Sequence, residues 1–294
     1  MSGDETIYSG IRPLGFHPGN MIVLSVYPHL VAENLQNQGK KPRFSYIITM
    51  NDIEPARYDF ERFIPLDTSV SFKEDISITE KTIRKALTHM LDDFPEINVS
   101  FVKSSSFQSS DKFSDVADIL INHKEKFAKS YIKPEYLDGK TYNDMHFIGI
   151  ICDDCHSPLL STSYNNALFE AYCESCDKQV SGIASEMNFW LYYVNLISMK
   201  LSILQPDIVL LGGDYIQTPD ERIKSLTKAN PLGSIMNFYD WLGGRSLNFL
   251  LGPLLIGEDG RKMSKEFNNI QDLSYEDVFS FCKSQCSREV RFLK

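Results

Sequence analysis

The residues of this 294-residue chain best suited to chemistry lie near its C-terminus. Two lysines, Lys262 and Lys265, stand three positions apart in a short loop that also contains Ser264, after the apolar segment 247–256. Such a loop is a compact positive charge, which suits a triphosphate whose negative charge develops during attack at its α-phosphorus. Taken alone, a loop of this kind is more often solvated surface, so its interpretation depends on the rest of the chain.

A second polar turn, residues 9–20, joins a short apolar strand to a helical segment. The start of a helix presents free N–H groups and a partial positive charge, which suits phosphate. Gly15 and Gly19 allow the backbone to approach a ligand closely, and His17 and Asn20 supply hydrogen-bonding side chains. We therefore expect phosphate binding at this turn. The alternative is a surface turn in which His17 is incidental.

Four of the six cysteines form two Cys-x-x-Cys pairs, Cys152 with Cys155 and Cys173 with Cys176, separated by 17 residues. Four thiolates at this spacing predict a structural zinc site with tetrahedral coordination. A redox motif needs one pair rather than two, and a site with four cysteine ligands has no open position for catalysis. The residues between the two pairs can form a small hairpin ribbon.

These residues must be positioned by the surrounding elements, in which strands and helices alternate. The apolar patterns predict strands at 7–9, 44–50, 98–102, 145–151 and 207–211, and helices at 20–38, 79–93, 111–129, 186–204 and 274–286. We expect Asn20 to cap the first helix, Gly39 to end it and Pro28 to kink it.

This order predicts the α/β class, as a doubly wound parallel sheet (a Rossmann-type, HUP-like nucleotide-binding core) with a small zinc-ribbon insertion. We expect 1–150 and 183–270 to be the two halves of the core, 151–182 the zinc ribbon, and 271–294 a short C-terminal helix. Ligands in such sheets bind at the carboxyl ends of the strands, where the polar turns at 9–20, 51–57 and 212–215 lie.

The composition is that of a soluble globular protein, with 43% hydrophobic and 23% charged residues and a net charge of −9. The excess of acidic over basic residues argues against a broad nucleic-acid-binding surface. No apolar run is long enough to span a membrane, and the polar N-terminus lacks the features of a signal peptide. We therefore expect a cytoplasmic protein with no membrane partner. The sequence leaves its oligomeric state open.

The turn 9–20 and the loop 257–265 together resemble the His-x-Gly-His/Asn element and the Lys-Met-Ser-Lys-Ser loop of class I aminoacyl-tRNA synthetases. The order of motifs, with an acidic turn, a zinc insertion and a Gly-x-Asp segment between them, is most similar to the lysyl and glutamyl types. Segments 9–13 and 260–265 also resemble the tryptophanyl type, so the branch stays open. The resemblance implies activation of an amino acid (with lysine or a related one favoured) by ATP and Mg²⁺, and a structural Zn²⁺. The acyl group would then pass to a tRNA or other RNA 3′ end, a small molecule or a carrier protein.

The resemblance also implies roles for individual residues. Four are implied in catalysis, namely His17, Asn20, Lys262 and Lys265. Six are implied in ATP binding, namely Gly15, Gly19, Gly213, Asp214, Met263 and Ser264. Seven are implied in binding the amino acid, namely Ser9, Gly10, Asp52, Glu54, Arg57, Trp190 and Tyr193. Asp52 or Glu54 would pair with an ammonium and Arg57 with a carboxylate. The alternative for segment 51–57 is a solvated loop with an internal Asp–Arg pair.

Three features depart from the family pattern. Only Phe16 separates Gly15 from His17 where two residues are usual, and Glu266 stands where a serine usually follows the second lysine. The chain ends 29 residues after Lys265 (294 − 265), so we expect no anticodon-binding domain. These departures leave open a catalytically inactive paralogue that binds a ligand or regulates a partner. A nucleotidylyltransferase of the same fold superfamily is a weaker alternative.

Overall fold

The computed structural model of this chain describes residues 5–12, 18–55, 57–60, 63–66, 72–215, 226–228, 230–252 and 274–286. Among the predicted site residues, Gly15, His17 and the lysine loop (Lys262, Met263, Ser264 and Lys265) lie outside these ranges. The backbone of Asp214 lies within them, but its side chain is not described.

In the described ranges the strands are β1 (Glu5–Ile11), β2 (Phe44–Met50), β3 (Tyr58–Asp59), β4 (Ile64–Pro65), β5 (Asn98–Lys103), β6 (Ile148–Ile151), β7 (Pro158–Leu159), β8 (Ser163–Asn165), β9 (Leu168–Cys173), β10 (Lys178–Ile183), β11 (Asn188–Leu191), β12 (Ile208–Leu211) and β13 (Asn248–Leu251). The α-helices are α1 (Pro18–Met21), α2 (Tyr27–Asn37), α3 (Phe72–Asp93), α4 (Asp111–Ala117), α5 (Lys124–Tyr131), α6 (Tyr193–Leu204), α7 (Pro231–Trp241) and α8 (Tyr275–Cys286).

The central sheet has five parallel strands in the order β13-β12-β1-β2-β5. The chain runs outward from β1 through β2 to β5. It then returns to the other side of β1 and runs outward again through β12 to β13. This reversal is the doubly wound topology, so the predicted fold class is confirmed. The crevice at the carboxyl ends of β1 and β12, where the order reverses, is where such sheets bind ligands.

Neighbouring residues of the central strands point to opposite faces of the sheet, so each strand contributes to two cores. Ile7 packs into a core with α2, α3 and α8. Tyr8 packs into the other core, with α4 to α7 and the ribbon around the cysteines. All four residues of β12 are buried because helices cover both faces.

The first helical segment runs from Pro18 to Asn37 and contains a π turn at Ile22–Val26. The prediction that Asn20 caps this helix is wrong, since the helix already begins at Pro18. Proline suits a first helical turn because its φ is fixed and no intrahelical partner exists for the N–H it lacks. Pro28 stands directly after the π turn, where the regular helical hydrogen bonding is already altered. Gly39 ends the segment with φ of 71°, as predicted.

The predicted helix 186–204 is wrong in its first part. Asn188–Leu191 is the strand β11, and α6 begins at Tyr193 after an extended Tyr192 (φ −61°, ψ 137°). β11 pairs antiparallel with β6, and β6 with β7, in a sheet separate from the central one. The assignment of β6 to the run of parallel α/β repeats is therefore also wrong. A continuous apolar run has no periodicity that separates a buried strand from a buried helix, so the tertiary partner decides.

The ribbon between the two halves of the sheet is a three-stranded antiparallel sheet, β10-β9-β8, rather than a two-stranded hairpin. β9 ends at Cys173, and β10 begins two residues after Cys176. The ribbon strands therefore lead directly into the second cysteine pair. Among the helices that the structure describes, none has the length and apolar character needed to cross a bilayer.

Candidate functional site

A polar cluster lies where β1 and β2 end. Glu54 is buried and its carboxylate accepts two hydrogen bonds, from Arg12 Nε at Oε1 and from Asn51 Nδ2 at Oε2, the latter at 3.0 Å. Arg12 directly follows β1 and Asn51 directly follows β2, so the parallel pairing of these strands brings both residues to one edge. The Arg12 side chain is 42% exposed and that of Glu54 only 4%. The guanidinium is therefore the solvent-facing end of the pair.

Arg12 is a fixed positive charge at the position where the strand order reverses. Burial opposes that charge, but the attraction of Glu54, with smaller effects of Tyr215 and Tyr193, keeps the pKa of Arg12 above its ordinary value. Tyr215 follows β12, so groups from both sides of the crevice surround the guanidinium. A guanidinium presents five N–H donors in a planar fork that matches a carboxylate, so this site can bind an anion.

The other acidic residue of this segment, Asp52, joins two strand ends. It is 2% exposed, and its oxygens accept hydrogen bonds from the Ser105 backbone N–H at 2.8 Å and the Ser105 hydroxyl at 2.6 Å. Ser105 follows β5, so the contact ties the end of β2 to the next strand along. Arg57 is exposed. The segment 51–55 is thus a buried turn rather than a solvated loop.

Beneath the cluster lies Lys200 of α6, which is completely buried. Its Nζ donates to Asn51 Oδ1 and, at 3.0 Å, to Thr49 Oγ1. Burial lowers the pKa of Lys200 to about 7, and the nearby carboxylates of Glu54 and Asp52 oppose this shift only in part. The sequence analysis missed both Lys200 and Arg12. The available signals were a single charged residue in an apolar helix and a cation immediately after a strand.

Ser9 and Gly10 are predicted to contact the amino acid. Both lie in β1, beside this cluster. Ser9 is buried and its hydroxyl donates to the backbone carbonyl of Leu210 at 3.2 Å. A Cβ on Gly10 would lie 2.9 Å from Thr49 Oγ1 and 3.0 Å from the Tyr8 hydroxyl. A side chain at position 10 would therefore displace the polar groups under the cluster.

The two aromatic residues predicted to contact the amino acid have different environments. Trp190 is fully buried against Gly149, where a Cβ would lie 2.7 Å from the indole Nε1. That Nε1 has no hydrogen-bond partner within the described residues. Tyr193 is half-buried at the start of α6 and lies near enough to Arg12 to favour its charge. Tyr193 is therefore placed beside the polar cluster, whereas Trp190 belongs to the core.

Further tyrosines pack around Tyr193. The hydroxyls of Tyr131 and Tyr192 are 2.5 Å apart, and the Tyr192 ring centroid lies 4.7 Å from that of Tyr193. The Tyr58 ring is tilted against that of Tyr192, with centroids 5.0 Å apart, and its hydroxyl donates to the backbone carbonyl of His146. Burial raises the pKa of the hydroxyl groups of Tyr58, Tyr131 and Tyr192 well above the usual value for tyrosine. These phenols therefore stay neutral and form an aromatic wall.

Three residues predicted to bind ATP, Gly19, Gly213 and Asp214, lie in the described ranges. They follow β1 or β12, the two strands that border the crevice. Gly19 and Asn20 lie in α1, after β1, and the Oδ1 of Asn20 is a buried acceptor with no hydrogen-bond partner in the ranges described. Gly213 and Asp214 lie in a single 3₁₀ turn, Gly213–Tyr215, immediately after β12. The fold thus brings these two segments to one edge of the sheet. His17 and the lysine loop lie outside the described residues.

The four predicted metal ligands, Cys152, Cys155, Cys173 and Cys176, lie together. Their sulfur atoms are all within 4.8 Å of one another, with Cys152 to Cys176 at 3.9 Å and Cys155 to Cys173 at 3.5 Å. A tetrahedral zinc ion with bonds of about 2.3 Å to sulfur needs sulfur atoms about 3.8 Å apart. The arrangement therefore fits zinc.

The two cysteine turns have the same local conformation. The residue after each second cysteine, His156 or Asp177, has a positive φ, of 58° and 51° respectively. This left-handed residue reverses the chain after each turn. Hydrogen bonds from Ser157 lower the pKa of Cys155 to about 6, which favours the thiolate form that binds a metal. His156, although adjacent, is not part of the sulfur cluster.

Two surface depressions lie away from the polar cluster. One, of about 620 Å³, is lined by Lys112, Asp115 and Trp241 among others. The other, of about 310 Å³, lies between α3 and α8 and includes His29 and Tyr275. Neither contains a predicted site residue, and neither brings together a set of groups with an evident chemical role.

Comparison with known proteins gives similarity at the level of the fold. No protein-family model and no curated protein sequence matches the chain. A glutamate-tRNA synthetase structure from Elizabethkingia anophelis is 12% identical, with a TM-score of 0.39, over 90% of this chain and 53% of that one. A Leishmania major tyrosyl-tRNA synthetase in complex with tyrosinol is 13% identical, with a TM-score of 0.40, over 94% of this chain and 31% of that one.

A putative arginyl-tRNA synthetase from Campylobacter jejuni is 12% identical, with a TM-score of 0.34, over 94% of this chain and 60% of that one. The chain thus spans between about a third and three fifths of the lengths of these structures. Two of these structures are of aminoacyl-tRNA synthetases and the third of a putative one, and at 12–13% identity with TM-scores of 0.34 to 0.40 they assign no activity to this chain.

Proposed function

We propose that this chain is an ATP-dependent, amino-acid-activating enzyme of the class I aminoacyl-tRNA synthetase type. The carboxylate of the amino acid attacks the α-phosphorus of ATP. A new bond forms between that carboxylate oxygen and phosphorus while the bond from phosphorus to the pyrophosphate oxygen breaks. The products are an aminoacyl-adenylate and pyrophosphate. Catalysis of such a step comes from positioning the reactants and from stabilising the charge on the leaving group.

The observation that carries this proposal is the position of the Arg12–Glu54 pair. It stands at the carboxyl ends of two adjacent parallel strands, beside the reversal of strand order, with the guanidinium facing outward. A guanidinium held on one side by Glu54 keeps donors for the carboxylate of an incoming amino acid. Tyr193, beside Arg12, would contact the same substrate.

On the ATP side the proposal draws on the two sequence motifs. Lys262 and Lys265 would stabilise the negative charge of the pyrophosphate as it leaves, and His17 and Asn20 would hold phosphate oxygens. Asn20 would donate from Nδ2 to a phosphate oxygen, and its Oδ1, which has no partner among the described residues, would accept from a donor group of the ligand. Gly213 and Asp214, across the crevice, would hold the ribose. Mg²⁺ bound to the phosphates would neutralise part of their charge.

The zinc-binding ribbon has a structural role in this proposal. A zinc ion held by Cys152, Cys155, Cys173 and Cys176 would stabilise the ribbon fold, since all four of its positions are filled by thiolates. The ribbon strand β9 packs Phe169 into the core shared with α4 and β11. Loss of the metal would therefore act on the site through the fold.

The proposed substrate is lysine or a related amino acid, and the compartment is the cytoplasm. The proposed acceptor is a tRNA or other RNA 3′ end, a small-molecule amine or hydroxyl, or a carrier protein. Because Arg12 is held by the buried Glu54 at the ends of two adjacent strands, we assign the substrate carboxylate to Arg12 rather than to Arg57. The net charge of −9 favours an acceptor that needs little basic surface.

The test is amino-acid-dependent exchange of pyrophosphate into ATP, across the twenty standard amino acids, ornithine and similar diamines. Exchange with one of them supports the proposal and names the substrate. Lys262→Ala should slow that exchange at least about a hundredfold, because it removes charge stabilisation present only in the transition state. Lys81→Ala, at an exposed position on α3, is the matched control. ATP binding by folded, zinc-loaded protein without exchange would instead favour the inactive, ligand-binding paralogue.

A further inference from the structure

Lys200 is a cationic side chain in the interior, and no carboxylate among the described residues contacts it directly. Its Nζ donates to neutral oxygens, Thr49 Oγ1 at 3.0 Å, Asn51 Oδ1 and, more weakly, Ser104 Oγ at 3.5 Å. Its neighbours along α6, Met199 and Leu201, are fully buried and apolar. A buried lysine is costly unless it has a specific partner, so the position needs an explanation beyond packing.

The contact with Lys200 determines which way the Asn51 amide faces. The protonated ammonium of Lys200 has donors only, so in this form the Asn51 atom beside Nζ is the acceptor Oδ1. The donor Nδ2 then faces Glu54 Oε2, at 3.0 Å. Reversing the amide would set NH₂ against the lysine and an oxygen against the carboxylate. Lys200 therefore excludes the orientation in which Asn51 would repel Glu54.

Glu54 links the oriented Asn51 amide to Arg12 near the surface. With one oxygen held by Asn51, the other accepts from Arg12 Nε. The result is a continuous chain of hydrogen bonds, Lys200–Asn51–Glu54–Arg12, that begins at a fully buried group and ends at a 42% exposed guanidinium. Its members belong to α6, the turn after β2 and the end of β1, so they are joined only in the folded protein.

The charges around Lys200 are consistent with this arrangement. The groups that face it are Tyr8 on β1, Thr49 and Asn51 at the end of β2, and Ser104 after β5, with the carboxylates of Asp52 and Glu54 farther away. The pKa of about 7 at Lys200 means that the cluster exchanges a proton near neutral pH. With Arg12 and both carboxylates charged, the cluster is neutral when Lys200 is protonated and carries one negative charge when it is not.

We propose that Lys200 is a positioning residue, which fixes the Asn51 amide and through Glu54 holds Arg12 in the orientation that binds the anionic group of the substrate. Lys200 itself does not touch the substrate. This inference rests on the proposed function for the identity of the substrate, but the positioning of Arg12 can be measured without any substrate.

The substrate-free test is the rate at which phenylglyoxal modifies Arg12, followed by peptide mass mapping. Lys200→Met keeps an unbranched side chain one atom shorter and removes its donors, so Asn51 is free to reverse and Arg12 is released from Glu54. We expect modification of Arg12 to become about threefold faster or more, as for the loss of one hydrogen bond. Ser198→Ala, which removes a buried hydroxyl from the same helix, is the matched control and should leave the rate unchanged.

The second readout is pyrophosphate exchange. In Lys200→Met the KM for the amino acid should rise about tenfold while kcat changes by less than about twofold, because binding rather than the chemical step is affected. Ser198→Ala should change neither, whatever it costs in stability. Should Lys200→Met fail to fold, Asn51→Ala interrupts the same chain one step nearer the surface and should give the same two results.

The outcomes separate the two proposals. Faster modification of Arg12 in the variants supports the positioning role even if the wild-type protein exchanges no pyrophosphate, in which case the proposed function alone fails. A folded Lys200→Met or Asn51→Ala protein with wild-type Arg12 reactivity overturns the positioning role. A wild-type KM for the amino acid in a variant that remains active also overturns the positioning role.

Discussion

Arg12 and Glu54 are separated by 42 positions in the sequence and form an ion pair across the carboxyl ends of two adjacent parallel strands. The Glu54 side chain is 4% exposed and the Arg12 side chain 42%, so the positive partner is the more exposed one. A surface ion pair would contribute little to stability. The partial burial and the position of this pair instead favour a role in binding.

We predict that Arg12→Lys weakens binding of the amino acid with little effect on stability. Lysine keeps the charge but loses the planar fork that holds Glu54 and a carboxylate together, a loss of about 1.5–3 kcal/mol. The KM for the amino acid in pyrophosphate exchange should rise between about tenfold and a hundredfold, and the KM for ATP should stay close to wild type. Arg84→Lys is the control, since Arg84 pairs with Glu80 on the exposed face of α3. Equal KM values for Arg12→Lys and Arg84→Lys would contradict the assignment.

Removal of the metal should unfold the cysteine ribbon. We predict one equivalent of zinc in purified protein and none in Cys173→Ser, together with a lower melting temperature, because zinc binding contributes folding free energy directly. Cys282→Ser is the control, since Cys282 is buried in a different core, outside the sulfur cluster. Protein that is metal-free as purified and equally stable with and without a chelator would rule out a structural zinc site.

The buried amine of Lys200 should make stability rise with pH in the alkaline range. Its pKa is about 7 in the folded protein and near its ordinary value when unfolded, so between these values the unfolded chain holds the extra proton. The free energy of unfolding should therefore increase between pH 7.5 and 9.5, by at most about 1.4 kcal/mol per pH unit, relative to Lys200→Met. Urea denaturation at several pH values measures this, with the exposed Lys103→Met as control. Parallel curves for wild type and Lys200→Met would show that Lys200 is not a buried, titrating amine.

His29 should make the docking of α8 sensitive to acid. It is buried, contacts the Tyr275 hydroxyl of α8 at 2.8 Å and lies 3.2 Å from Asp93 Oδ2. Burial lowers the pKa of His29, although Asp93 and Glu33 oppose the shift, so the stabilising neutral form is lost as pH falls below about 6.5.

Between pH 7.5 and 5.5 the wild type should accordingly lose more free energy of unfolding than His29→Gln, by at most about 1.4 kcal/mol per pH unit. Hydrogen exchange of the α8 amides, corrected for intrinsic rates, should show the loss locally. His123→Gln is the control, because His123 is 63% exposed. The same acid sensitivity in His29→Gln as in wild type would place its origin elsewhere.

Several features of this protein were predictable because their signals are local. The bounds of β2, 44–50, follow from a compact apolar run between polar turns. The end of the first helical segment follows from Gly39. The capping of α8 by Ser274, whose hydroxyl accepts from the Asp277 backbone N–H at 3.1 Å, follows from the residue types at its start. The sulfur cluster follows from the spacing of two Cys-x-x-Cys pairs, each of which closes its own turn.

By itself, then, the sequence determined the fold class, the order of the motifs and the grouping of the four cysteines. Only the tertiary structure decided that 188–191 is a strand, because its hydrogen-bond partner β6 is 37 or more residues away. It also decided that Arg12 pairs with Glu54, 42 positions distant, and that Lys200 lies under Asn51, 149 positions distant. Such contacts depend on which strands become neighbours and which faces are covered, and no local periodicity encodes that choice.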